Sequence, residues 1–201
     1  MSQRLRVIYL PGVGDAKPTF QRRVVGSWRL WGVEPELFQI NWSADISWES
    51  RNEALLRHID TLHAEGKTVA LVGASAGGSA AIAAYGARKS SLVGVVTICG
   101  KLKNPSDIGP KYRNANPPLL AAVSASDATL KTLSAADKSR ILTRRAVFDE
   151  VVTTNSDSVV DGAKNQVSPT IFHALTIGLQ LIFGAPTFLR FLKRQTVKST
   201  L

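Results

Sequence analysis

The sequence is poor in residues that would cross-link it or commit it to a membrane. Its single cysteine among 201 residues, Cys99, excludes an internal disulfide. No apolar segment of signal-peptide length precedes Pro11. The longest apolar run outside the core pattern, Ile177 to Leu189, is interrupted by Gly184 and Pro186 and falls short of the ~20 apolar residues a spanning helix needs. These absences predict a reducing, cytoplasmic setting and no transmembrane segment. Internal repeats and low-complexity linkers are also missing. With 44% hydrophobic residues, seven Phe and four Trp, the chain has the material for one sizeable core and reads as a single domain. A P-loop lysine and dinucleotide-binding spacing are absent too.

Charge of one sign is in excess. Lys and Arg number 25 against 15 Asp and Glu, a net charge of +10. The basic residues lie in small groups such as Arg22/Arg23, Lys101/Lys103 and Arg144/Arg145, without interleaved aromatics and without a nucleic-acid module. No nucleic-acid partner is expected, and the balance is read as a solvated basic surface.

What the chain does have is an alternation of apolar runs with amphipathic stretches. Leu5 to Leu10 reads as a buried strand ended by Pro11, Gly12 and Gly14, and Glu36 to Ile40 as a weaker second one. Ser50 and Glu53 have capping-box spacing, Leu55, Ile59 and Leu62 recur at helical intervals, and Gly66 stands where a C-terminal cap belongs. Lys67 to Gly73 and Leu92 to Ile98 are near-continuous apolar strands flanking a small-residue helix from Ser75 to Ala87, a βαβ unit that implies parallel pairing. Ile141 to Phe148 and the alternating segment 165–172 supply the last two strands. The fold class is α/β: a three-layer sandwich around a mostly parallel, doubly wound sheet. The segment 102–138, with four prolines before a helix-like stretch, is long for a plain connection and reads as a small cap insertion or a surface excursion.

The run VALVGASAGGSAA from Val69 places Ser75 between Gly73 and Gly77 at a strand-to-helix junction. A turn that sharp presses the residues two before and two after the serine together, so both must lack bulk. The stretch resembles the G-x-S-x-G nucleophile elbow of the α/β-hydrolase superfamily, which lifts a serine hydroxyl above the carboxyl edge of the sheet. A serine nucleophile needs a base and an orienting acid, in the chain order Ser, Asp or Glu, His. His58 and His63 precede Ser75 on an amphipathic helix, which leaves His173. Asp149, Asp157 and Asp161 all precede His173. Asp149 has the favoured position at the carboxyl end of a strand, with Asp157 second, Asp161 third, and Glu150 read as a solvated neighbour.

The run DEVV at 149–152, the run SVVDGAKN at 158–165 and His173 together resemble the acid-to-histidine segment of small, lidless bacterial esterase-lipases. That resemblance implies Asp149 as the acid. It further implies an oxyanion hole from two backbone amides, that of Ala76 after the nucleophile and that of Val13, since PGVGD at 11–15 resembles the family's H-G-x-G segment. Three departures stand out: Pro11 replaces the usual histidine, Phe172 replaces the usual glycine before the catalytic histidine, and Ala74 and Ala76 flank the serine where bulkier residues are common.

The expected activity is cleavage of a small carboxylic ester by a Ser75–Asp149–His173 triad, without metal or organic cofactor. Thioester or amide substrates, or a silent binding protein of the same fold, are the alternatives. Cys99 is expected to be a buried, inert thiol, and Trp28, Trp31, Trp42 and Trp48 to be packing residues, with an edge of the pocket as the alternative for Trp42. Pro186 is expected to break the last helix, leaving 186–198 as a basic amphipathic segment that either packs on the sheet or touches an anionic membrane surface.

Overall fold

The computed structural model describes residues 4–43 and 46–198; Met1 to Gln3 and the side chains of Val197 and Lys198 lie outside the described part. Six strands form one parallel sheet: β1 (Arg6–Leu10), β2 (Glu34–Leu37), β3 (Val69–Ala74), β4 (Leu92–Ile98), β5 (Ile141–Phe148) and β6 (Lys164–Ile171), in the order β2-β1-β3-β4-β5-β6. Strands β4 and β5 span the ranges that the sequence pattern predicts. The second strand lies earlier than the sequence pattern predicts: Gly32 turns the chain with a φ of 69°, and Glu34 then enters register with Arg6.

Alternation along the strands sorts the side chains into two cores. Ile8, Leu10, Leu71, Val95 and Ile141 face α2 (Trp48–Ala64), α3 (Ala76–Ala87) and α5 (Pro118–Thr132). Val7, Tyr9, Val72, Val96 and Leu142 face α1 (Thr19–Gly26), the 3-10 turn Ser27–Trp31 and α8 (Ala185–Lys198). The result is the expected three-layer sandwich. Helix α2 is capped by Ser47, whose hydroxyl accepts from the amide of Ser50, so Ser50 is the third helical residue and not the cap that its spacing to Glu53 predicts.

Within 102–138, after a 3-10 turn at Pro105–Asp107, come α4 (Pro110–Ala115), α5 and α6 (Ala135–Lys138). Leu119, Ala122, Val123 and Leu130 of α5 are buried in the same core as α3, so most of the segment is a crossover helix of the sandwich.

Pro186 does not break the last helix. Helix α7 (His173–Leu179) runs through a π-helical turn, Gln180–Gly184, into α8 as one helix from His173 to Thr196. The wider turn accommodates a proline that lacks an amide hydrogen. That helix of 24 residues is long and apolar enough to cross a membrane by length and composition alone. Here it lies on the sheet, with Leu181, Phe188, Leu189 and Leu192 buried in the second core and Arg190 and Arg194 exposed. The packed-helix alternative is thus the one that Phe188, Leu189 and Leu192 adopt.

Candidate active site

Strand order reverses between β1 and β3, and in an open parallel sheet the crevice for a ligand lies at the carboxyl ends beside such a reversal. The loop after β1 and the turn after β3 meet there. Gly12 approaches so closely that a Cβ on it would lie 2.7 Å from the Cβ of Ser75. Ser75, at the start of α3, has a φ of 52° and a ψ of −123°, a conformation that stores strain at a non-glycine residue.

The two flanking glycines are needed for the reason their spacing implies, and for a second one. A Cβ on Gly73 would stand 2.2 Å from the carbonyl oxygen of Gly77, and a Cβ on Gly77 would stand 2.1 Å from the carbonyl oxygen of Leu10. Both obstacles are backbone and cannot swing aside. Gly77→Ala is therefore expected to destabilise the protein by about 3 kcal/mol or more, seen as a lower urea midpoint. An unchanged midpoint would show that β1 and α3 are free to separate.

The first loop is pinned from beneath. Asp15, almost fully buried, accepts the amides of Asn41 (2.7 Å) and Trp42 (3.1 Å), and the indole N–H of Trp42 donates to the Pro11 carbonyl at 3.0 Å. Trp42 is fully buried and stacked 6.3 Å from Trp48, so it anchors the loop and does not edge the pocket. Among the described residues the Val13 amide has no hydrogen-bond partner, and Ala76 is the first residue of α3, where an amide has no acceptor within the helix.

Asp149 follows β5 directly and His173 opens α7. The Nδ1 of His173 lies 2.8 Å from Oδ2 and 3.0 Å from Oδ1 of Asp149. Burial raises the affinity of the Asp149 carboxyl for a proton. The His173 hydrogen bond and the amides of Val152 (2.7 Å) and Val151 (3.0 Å) outweigh it and hold the carboxyl below its ordinary range. It is a carboxylate at neutral pH, and it fixes the proton of a neutral imidazole on Nδ1, leaving Nε2 as the acceptor.

Glu150 is not merely solvated: its Oε2 accepts the His173 amide at 2.8 Å, at the helix N-terminus where an anion is favourable. Asp157 is turned elsewhere, wholly buried against Lys101 and Asn104. His58 pairs with Glu36 at 2.8 Å.

Phe172 occupies a position with φ 68° and ψ 135°, which explains why a glycine is usual there. Its ring turns outward onto Phe148, 6.2 Å away edge to face, and not over the imidazole. The Cys99 thiol is buried next to Asp149, and burial followed by that negative charge pushes it up to about 12. The protonated thiol is neither a nucleophile nor a soft-metal ligand. Cys99, Asp149 and His173 do bring three donors within 4.8 Å of one another. However, Nδ1 and both carboxylate oxygens are already engaged with each other and with amides.

Ser75 lies at the meeting point of two cavities. One, of about 80 Å³, is lined by Ala76, Ile108, Tyr112, Leu119 and Val152. The other, of about 270 Å³, is lined by Gly12, Phe20, His173, Ile177 and Leu181. Val13, Ser75, Tyr112 and Val151 belong to both. Of the segment 102–138, only the part around Pro105–Ala115 and the start of α5 reaches this rim.

The same architecture recurs in solved structures. A structure of the metagenome-derived lipolytic enzymes LipS and LipT superposes with a TM-score of 0.72 at 13% identity, over 96% of this chain and 94% of that one. The fold is that of the α/β-hydrolases. A ferulic acid esterase matches with a TM-score of 0.66 at 13% identity over 94% of this chain and 86% of its own. The monoacylglycerol lipase of Paleococcus ferrophilus gives 0.59 at 12% identity over 90% and 94%. No protein-family model matches the chain, and no curated protein matches it in sequence.

Proposed function

We propose that this α/β-hydrolase-fold chain is a serine hydrolase that cleaves small carboxylic esters through an acyl-enzyme intermediate. The observation that carries the reading is the buried Asp149–His173 pair, which leaves Nε2 as a base on the wall of the cavity that Ser75 also lines. His173 takes the Ser75 proton as the hydroxyl attacks the carbonyl. Asp149 holds the imidazole in the right tautomer and stabilises its charged form. The amides of Val13 and Ala76 bind the oxyanion, each contributing about 3 kcal/mol to lowering the barrier. The same intermediate serves thioesters and amides. Likeness in fold to esterases and lipases adds weight to the ester.

The unequal cavities order the substrate. The imidazolium must protonate the leaving oxygen, so the alcohol lies on the His173 side, in the larger space. The acyl group is left with the smaller one beside Ala76. A cavity of about 150 Å³ accepts benzene, so about 80 Å³ takes roughly three or four carbons. Turnover of p-nitrophenyl acetate and butyrate is expected, with kcat/KM falling about 10- to 100-fold for the decanoate. A rise with chain length would contradict the assignment of the smaller cavity to the acyl group.

One observation favours a silent binding protein. Among the described residues neither Ser75 Oγ nor His173 Nε2 makes a hydrogen bond. Such contacts commonly tighten only when substrate binds. The complete absence of p-nitrophenyl acetate hydrolysis would select the silent reading.

A further inference from the structure

A second site is built on the far side of the π-helical turn. Arg144, in the middle of β5, projects toward α8 and is 9% exposed. Its Nη1 donates to Oε1 of Gln180 at 2.5 Å and its Nη2 to the Thr187 hydroxyl at 2.5 Å, while the guanidinium lies 5.8 Å from the centre of the Phe188 ring. These partners are all neutral. Nε has no partner, and among the described residues no carboxylate pairs with Arg144. A buried cation without an anion is costly, and a methionine or leucine would fill the same space without that cost.

The surroundings are shaped around this group. Gly184 leaves room for the pair, because a Cβ there would lie 2.2 Å from Gln180 Oε1 and 2.9 Å from Arg144 Nη1 and would push these side-chain ends out of their present places. The π-helical turn carries both Gln180 and Gly184, and such turns are frequent at functional sites. Arg144 lines a groove of about 600 Å³ between β6 and this turn. No Asp or Glu lines it, and Val167, Pro169, Leu179 and Phe183 give it apolar walls, with Phe183 73% exposed. The net charge of +10 also favours an anion.

We propose that this groove binds an amphipathic carboxylic acid, with its carboxylate on Arg144 and its tail along Val167, Leu179 and Phe183. The planar guanidinium fork matches a carboxylate, and the walls match an alkyl chain. The site is separate from the Ser75 cavities and does not depend on the catalytic reading.

Calorimetric titration of the full chain with sodium decanoate, below its micelle concentration, tests the assignment; decan-1-ol and inorganic phosphate serve as comparators. Saturable binding of decanoate is expected, at least about tenfold tighter than either comparator. Arg144→Met should weaken decanoate binding at least about tenfold while leaving the Tm of the ligand-free protein unchanged or raised. Gln180→Glu keeps the side-chain shape and supplies the missing anion internally; it should raise the Tm and weaken binding to a similar extent. Absence of decanoate binding, or affinity unchanged in both variants, would overturn the proposal. Phosphate binding as tightly as decanoate would overturn the amphipathic ligand in favour of a simple anion.

Discussion

Ser75→Ala and His173→Ala are each expected to lower p-nitrophenyl acetate turnover by about 10⁴-fold or more, because nucleophile and base act as one unit. Neither change should unfold the chain. The Ser75 side chain fills no core, and its backbone is held by bonds that alanine retains: its amide donates to the Ile98 carbonyl at 2.9 Å, and its carbonyl accepts the Gly78 amide at 2.9 Å. The positive φ of Ser75 persists in alanine, so a modest change in Tm is compatible with the account. Turnover within tenfold of the unmodified protein in either variant, with an unchanged circular dichroism spectrum, would remove that residue from the reaction.

Asp149→Asn is expected to cost about 10⁴-fold in kcat at neutral pH, since an amide favours the wrong imidazole tautomer and leaves the charged form unsupported. Asp157→Asn should behave in the opposite way. Asp157 is buried beside Lys101, which is itself largely covered, so removing the carboxylate leaves a poorly solvated ammonium. The expected result is a loss of stability of about 3 kcal/mol with kcat changed by less than about tenfold. A larger kinetic loss at Asp157 than at Asp149 would reassign the acid.

Much of this arrangement was legible in the chain, and the boundary between legible and hidden follows range. Strands β3 and β4 are near-continuous apolar runs, and a buried parallel strand demands that pattern whatever surrounds it. Gly73 and Gly77 betray the turn at Ser75 because the clash they avoid is local. Asp149 and His173 stand out by position, each just past the carboxyl end of a strand.

Features set by contacts distant in sequence carry no such signature. Asp15 and Trp42 anchor the first loop through bonds across 26 and 31 residues. Glu150 meets the His173 amide only because β5 and β6 are neighbours. Pro186 reads as a helix breaker under local rules, but the π-helical turn before it, with Gln180 and Gly184 against Arg144, carries the helix through. The two adjacent arginines of β5 look out of place in a buried strand until the partners of Arg144 on α8 are known.

The central claim is that Ser75 is an activated nucleophile, and labelling with a fluorophosphonate probe tests it most directly, because the probe reacts only with a serine whose proton can be taken. The account predicts stoichiometric labelling of the intact protein at Ser75, located by peptide mass, and none in Ser75→Ala or His173→Ala. An unlabelled intact protein beside an unrelated serine hydrolase that reacts in the same tube, or a label on another residue, would contradict it.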